Sequence, residues 1–407
     1  MADGALASGH TEEDVDELAR RFGHHDEDLD HAFETYRVLR SECPVGRSER
    51  YGSFWFFTRY EDIYRAEQDP QTFSVSPSML LPSFGNKRPL IPIDIDPPML
   101  GKYRRILLPS FAPAQIDAVE PMVRAVARDL IDKFVTRGHC DAALEFARPF
   151  PTLVFTRMAG FPEQDYDRFQ DWVDRIIYLR THDSAETALA ADEIVHYFLA
   201  FREQRLQEPP RDDLVGKLLG AEIDGRTLTA EEFADYCFLL LIAGLETTAW
   251  AVRASLWHLA QHPEDQFLLR QRPELVAGAA EEFLRCLAPV QAMARTLKRD
   301  VEVGGKRLRQ GERVLLVFGS GNRDGNVFDD PDRVRVERED NPHFAFGVGV
   351  HRCLGANLGR RELRVALEEF IRRIPAFRLE TGEVPPWWGV GPLPITFGKP
   401  VRSGGPA

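Results

Sequence analysis

The sequence predicts a mostly α-helical protein with a small β-rich portion, folded as one large domain. Three observations carry this prediction. Helical periodicity dominates residues 113–285, interrupted near Pro151, Pro162, Pro209, Pro210 and Pro263. Alternation around glycine pairs at residues 301–318 (VEVGGKRLRQGERVLLVF) has the pattern of a hairpin. No linker-like composition shift, internal repeat or low-complexity block divides the 407 residues, although that length would permit more than one domain.

Taken in order, residues 1–30 are polar and acidic, with Glu12, Glu13, Asp14, Asp16 and Glu17 followed by Asp26, Glu27, Asp28 and Asp30. They read as a solvated, disordered tail outside the folded body, which is expected to occupy residues 31–407. Residues 52–60 (GSFWFFTRY) are aromatic-rich between turn formers and predict a strand. Residues 74–98 hold enough Pro, Ser and Gly to predict a long loop. Within the helical stretch, Thr229 followed by Glu232 is a capping-box pattern, opening a helix that would reach Gln261 before His262 and Pro263. Its 32 or so residues would span about 48 Å, enough to cross a domain. After the hairpin a loop runs to Cys353, and a last helix is expected over 354–373 before Pro375.

Composition limits the function classes. A net charge of −13 argues against nucleic-acid binding, which relies on basic surface to displace counterions. No charged-then-apolar leader opens the chain, and the longest apolar run, residues 237–245, falls well short of the roughly 20 residues needed to cross a bilayer. A cytoplasmic location is expected. Five cysteines, at 43, 140, 237, 286 and 353, are odd in number and show no CxxC, so neither a disulfide framework nor a structural zinc site is predicted.

The sharpest feature is FAFGVGVHRCLG at residues 344–355. Gly347 and Gly349 allow a tight turn and close backbone approach. Cys353 stands where a helix begins, so the helix dipole and Arg352 would both favour a thiolate. Phe346 would lie against a flat cofactor and shield the sulfur. A buried cysteine beside a glycine turn is the plain alternative. A dinucleotide loop is the other, but the third glycine of GxGxxG is missing.

In the middle of the long helix stands Ala243-Gly244-Leu245-Glu246-Thr247-Thr248. Glycine costs about 1 kcal/mol inside a helix, and a carboxylate among apolar neighbours is expensive unless paired. Either the hexad serves chemistry, or Glu246 is a surface residue and the threonines bond back to carbonyls one turn earlier. Glu282 and Arg285 form an ExxR, which alone would be an ordinary i,i+3 ion pair worth a few tenths of a kcal/mol.

Taken together, these motifs resemble the cytochrome P450 family. Phe346, Gly347, Gly349, His351, Cys353 and Gly355 match its haem-binding loop, FGxGxHxCxG. The hexad is similar to its oxygen-binding groove, and ExxR lies between the two in the family's order. The resemblance runs from about Tyr36 to Phe397, and residues 138–165 look like the branch of bacterial camphor hydroxylases. It implies a triangular helical prism with a small β-rich region, holding heme b (iron protoporphyrin IX) with Cys353 as the iron ligand.

The resemblance also implies roles. His351, Arg295 and Arg104 would bind the haem propionates, with Leu100 standing where the family often has histidine. Gly244 would make room for dioxygen, Thr247 would hydrogen-bond the oxygen being activated, and Glu246 would relay protons. Glu282, Arg285 and Arg338 would form a structural Glu-Arg-Arg network. Val290, Met293, Leu240, Ala243 and Leu393 fall at pocket positions, so a small hydrophobic substrate, a terpenoid or aromatic, is expected. Lys87 and Arg88 occupy the loop where a camphor hydroxylase offers a tyrosine, which leaves open whether either meets a polar substrate group.

The implied reaction is insertion of one oxygen atom from O2 into a C–H bond. Electrons would pass from NAD(P)H through a separate reductase and a ferredoxin. Lys102, Arg104, Arg105, Arg352, Arg360, Arg361 and Arg364 would offer that acidic ferredoxin a basic face. A solvated helix face is the plain alternative for these residues. A peroxide-driven relative has less need of the Glu246–Thr247 pair, and a haem sensor without turnover would give it no purpose.

Overall fold

The computed structural model describes residues 11–24, 29–381 and 391–398. Its spine is the helix Ala230–Gln261, which starts and ends where the capping box and Pro263 predict: Thr229 Oγ1 accepts from Glu232 N, and Glu232 returns a bond to Thr229 N. By length and apolar composition this helix would suffice to cross a membrane, but it lies mostly buried inside the protein. Its apolar residues face several partners at once. Helices Pro149–Ala159, Tyr166–Tyr178, Ser184–Leu206, Val276–Leu287 and Ala356–Arg373 all pack on it. A helix apolar on nearly all sides is stable only when so surrounded.

The β portion is concentrated in a five-stranded sheet, in the order Val45–Ser48, Phe54–Phe57, Arg313–Leu316, Met293–Leu297 and Phe73–Ser74. Strand period 2 divides its side chains between two clusters. Phe54, Phe56 and Leu315 pack with Phe22 and Tyr36 on one face, whereas Phe57, Val314 and Leu316 pack with Ile63 and Phe344 on the other. The predicted hairpin is present as Val301–Val303 against Lys306–Leu308, with Gly304 and Gly305 at positive φ. A second sheet joins Phe377–Leu379, Pro394–Phe397 and His139–Asp141.

The N-terminal expectation is corrected in part. Residues Glu12–Arg21 form a helix with a capping box between Thr11 and Asp14. Val15 and Ala19 are buried, and the Phe22 ring meets Phe56 edge-on with centroids 4.9 Å apart. Glu12, Glu13 and Asp14 occupy the first turn of an amphipathic helix, where they suit the helix dipole, and Asp16 and Glu17 lie on its exposed face. Residues 1–10 and 25–28 lie outside the described residues.

The long loop at 74–98 is ordered by side chains in place of a ladder. Asp94, 2 % exposed, accepts from Met79 N at 2.7 Å and Leu90 N at 3.0 Å. Asp96 accepts from Ser74 Oγ at 2.6 Å and Val75 N at 3.1 Å. These bonds satisfy backbone groups that a buried loop would otherwise leave unpaired.

Candidate active site between the central helix and the cysteine loop

A cavity of about 1540 Å³, counted to its open mouth, lies between the central helix and the cysteine loop. Its lining is mainly apolar with a few polar side chains, as in small-molecule and cofactor sites. Cys353, Gly355, Phe346, Gly347, His351 and Arg104 contribute to its wall, and so do Ala243, Gly244, Thr247 and Thr248. The two motifs singled out in the sequence are therefore brought together.

The cysteine loop is shaped by its glycines and by a neighbour. Gly347 and Gly349 adopt φ of 61° and 69°, and a Cβ on Gly349 would come within 2.6 Å of the Glu67 carbonyl oxygen. Cys353 N donates to Phe346 O at 2.8 Å, closing the turn before helix Ala356–Arg373. The Phe346 ring is held from the other side by the Arg360 guanidinium, 4.3 Å from its centroid.

Cys353 is solvent-exposed and lines the cavity. Burial by the surrounding protein pushes its thiol pKa up, while the Gly355 N–H and the charges of Arg104, Arg352 and Arg360 pull it down. This reverses the expectation that dipole and Arg352 would decide: desolvation wins, and a thiolate here calls for a cation on the sulfur, since metal coordination deprotonates a thiol outright. The residues fit a haem. Beside the sulfur, His351 Nε2 is buried with no hydrogen-bond partner, as a group reserved for an external anion would be. Burial, and next Arg295, push the His351 pKa down to about 4, so it faces the cavity as a neutral imidazole.

Arg104 lines the cavity and donates from Nη2 to Arg352 O at 2.7 Å, which ties helix Met99–Leu107 to the cysteine loop. Leu100 on the same helix is buried. Arg295 departs from expectation. Its Nη2 is bonded to Glu67 Oε1, its Nη1 donates to Ala294 O at 2.8 Å, and it is absent from the lining of the cavity, where Glu67 stands instead. A buried guanidinium takes the nearest buried carboxylate, which motif matching does not foresee.

On the opposite wall, Thr247 Oγ1 donates to Ala243 O at 2.9 Å, one turn earlier, while lining the cavity. The back-bonded threonine thus also faces the cavity. Gly244 also lines the cavity, but its strictest constraint is packing: a Cβ there would lie 2.8 Å from the Phe155 ring. Glu246 turns away. It lines a small crevice with Arg148, Trp250 and Arg253, and accepts a short hydrogen bond from Tyr178 Oη. Burial pushes its pKa up to about 7, against the opposing pull of the Tyr178 hydroxyl and Arg148.

Of the pocket positions, Val290, Met293, Leu240 and Ala243 line the cavity with Met79, Pro92 and Ile93. Leu393 does not. It is fully buried in the core beside the second sheet, where Leu393 N donates to Asp141 Oδ1 at 3.0 Å. Neither Lys87 nor Arg88 faces the cavity. Lys87 Nζ bonds Asp192 at 2.6 Å, and Arg88 pairs with Asp235 on the central helix.

The ExxR pair is no surface bridge. Glu282 and Arg285 are both fully buried, joined at 2.8 Å through Arg285 Nε and Nη2. Arg338 Nε adds a bond to Glu282 at 2.9 Å, and Arg285 Nη1 reaches the carbonyls of Asn322 and Pro331, both at 2.7 Å. Most of the expected basic face is internally paired. Lys102 bonds Asp224, Arg360 bonds Glu281, and Arg361 and Arg364 share Glu120. Arg105 and Arg352 are exposed outside these pairs.

Three residues of the site were not anticipated. Glu67 and Glu362 both line the cavity, and Glu362 Oε1 is buried without a partner. Burial raises the Glu362 pKa well above the usual range, opposed by a hydrogen bond from Thr248. The available signal was a carboxylate on the apolar face of helix Ala356–Arg373. Tyr178 lies far from Glu246 in sequence and carried no signal.

Comparison with known proteins agrees with this geometry. The family model for cytochrome P450 matches residues 155–387. The chain is 36% identical to a probable cytochrome P450 127A1 of Sinorhizobium fredii, over 81% of this chain and 79% of that protein. It is 35% identical to a vitamin D3 dihydroxylase of Streptomyces griseolus, over 80% of this chain and 81% of the other. Among solved structures, a mutant of P450 EryK in complex with erythromycin B superposes with a TM-score of 0.84 at 29% identity, covering 94% of this chain and all of that one. These relatives do not single out the camphor-hydroxylating branch. Fold, cysteine loop and relatives converge: the chain belongs to the cytochrome P450 family of haem-thiolate monooxygenases.

Proposed function

We propose that Cys353 carries the haem iron and that the enzyme inserts one oxygen atom from O2 into a C–H bond of a small, largely apolar substrate. The observation that carries this reading is the placement of Cys353 and Thr247 on walls of one cavity whose remaining lining is mainly aliphatic and aromatic. When bound, a haem held by Cys353 would supply oxygen activation, with the thiolate donating electron density to the iron.

The chain's own residues do the rest. Leu240, Ala243, Val290 and Met293 bind an apolar molecule by excluding water and leave few polar groups to satisfy. His351 and Arg104, which line the cavity, would hold the cofactor's carboxylates. Thr247 holds its hydroxyl at the cavity edge, and Glu246, with a pKa near 7, takes protons from the crevice beside Arg148 and passes them inward. The apolar lining supports a terpenoid or aromatic substrate. Relatives as different as a mycinamicin IV hydroxylase/epoxidase and CYP109E1 in complex with testosterone do not narrow the class.

Electrons come from NAD(P)H through a separate reductase and a ferredoxin, in the cytoplasm. Arg104, Arg105 and Arg352, for which no ion pair is found among the described residues, are the part of the face that would receive the ferredoxin. The test is the reduced, carbon-monoxide difference spectrum of the protein and of Cys353→Ser. A far-red Soret band present in the first and lost in the second is expected; its absence from both would overturn the assignment.

A further inference from the structure

We propose that Glu67 quenches the charge of Arg295 beside the haem's carboxylate edge and thereby holds the iron toward its ferric state. The inference rests on the haem reading above. Glu67 lies in the last turn of helix Tyr60–Gln68, and its side chain is 1 % exposed. One oxygen takes the Arg295 guanidinium, and the other accepts from Val348 N, in the cysteine loop, at 3.3 Å. The same carboxylate lines the cavity between the cysteine loop and the sheet, whereas Arg295 does not reach the lining.

The consequence is a matter of charge count. Four groups lie around this edge: Arg295 from the sheet, Glu67 from its helix, Arg104 from helix Met99–Leu107 and His351 from the loop. Glu67 and Arg295 cancel, so of the two arginines named here only Arg104 brings a charge that no carboxylate offsets. Lys298, further out, is already paired with Asp96 at 2.8 Å. An arginine free of Glu67 would add a second cation next to the cofactor. Adding a positive charge near a redox centre favours the reduced, less positive state, and enclosed charges act strongly because little water screens them. Glu67 is thus a positioning residue that acts through Arg295 and does not touch the reacting atoms.

The test uses the full-length, haem-loaded protein and its ferric–ferrous midpoint potential, measured by spectroelectrochemistry. Glu67→Gln keeps an acceptor for Arg295 and Val348 but removes the charge. The ferrous-to-ferric ratio at a fixed electrode potential should rise about tenfold, equivalent to 59 mV for a one-electron couple. Glu67→Asp keeps the charge and should stay within about twofold of wild type. The double variant Glu67→Gln with Arg295→Gln removes both charges and should also return to the wild-type ratio. It carries the test if the single Gln variant fails to fold. A Gln variant that stays at the wild-type ratio, Gln and Asp variants that shift together, or a double variant that departs from wild type would each overturn the inference. Absence of the thiolate carbon-monoxide band from the wild-type protein would instead sink the haem reading itself.

Discussion

Gly244→Ala separates the packing role of the central helix from its chemistry. At an exposed helical site the substitution would stabilise by about 1 kcal/mol, because alanine loses less backbone entropy than glycine. Here the new methyl carbon would stand 2.8, 2.8 and 2.9 Å from three carbons of the Phe155 ring, distances that real Cβ atoms essentially never show. Phe155 is only 3 % exposed on helix Pro149–Ala159 and is itself held by Phe161, so the ring has little room to retreat. Overpacking of this kind costs about 1–3 kcal/mol. The net expectation is destabilisation of about 0–2 kcal/mol, after subtracting the helix gain. Adding Phe155→Leu should relieve the clash, with a favourable coupling energy of about 1 kcal/mol or more in the double-mutant cycle. Urea denaturation followed by far-ultraviolet circular dichroism measures all four proteins. A single variant more stable than wild type by about 1 kcal/mol would refute the steric argument.

Further expectations follow from two buried carboxylates. Glu282→Ala leaves Arg285 and Arg338 without their shared counter-charge in a fully enclosed site, and should cost about 3–5 kcal/mol. A shift in the urea midpoint corresponding to less than 1 kcal/mol would mean that the network is dispensable. Tyr178→Phe removes the hydroxyl that stabilises ionised Glu246, so the Glu246 pKa should rise from about 7. The limb of the pH–rate profile governed by that group should move to higher pH, and an unmoved limb would exclude Glu246 from proton delivery. The same group has a sign in stability. Its folded pKa exceeds the unfolded value, so the native state holds the extra proton and stability declines as pH rises from about 4.5 through 7. Glu246→Gln should flatten that decline in a series of denaturation curves.

Much of this molecule could be read from residue order. Local rules with short reach were the most reliable: the capping box set the first residue of the central helix, Pro263 its end, and paired glycines the hairpin. The cysteine loop was legible because its glycines, phenylalanine, histidine and cysteine occupy fixed spacings within twelve residues. Failures occurred where a distant residue decided. Nothing near Arg295 announces Glu67, 228 positions away, and nothing near Glu246 announces Tyr178. Leu393 was assigned by position in a motifless segment, and one turn of geometry placed it in the core. At the N-terminus, acidic composition outweighed the period of Val15 and Ala19, so an amphipathic helix was read as solvated chain.

The contact between Glu67 and Val348 joins segments 281 residues apart. Closing a loop of that length costs roughly 5 kcal/mol of chain entropy beyond a constant, and contacts of this separation slow folding. On the ribosome the Glu67 side of the cavity therefore lacks this bond until Val348 has been made. Between completion of the central helix at Gln261 and the arrival of Val348 and Cys353, the apolar face of that helix must be sheltered by other means, and cofactor capture waits for the cysteine.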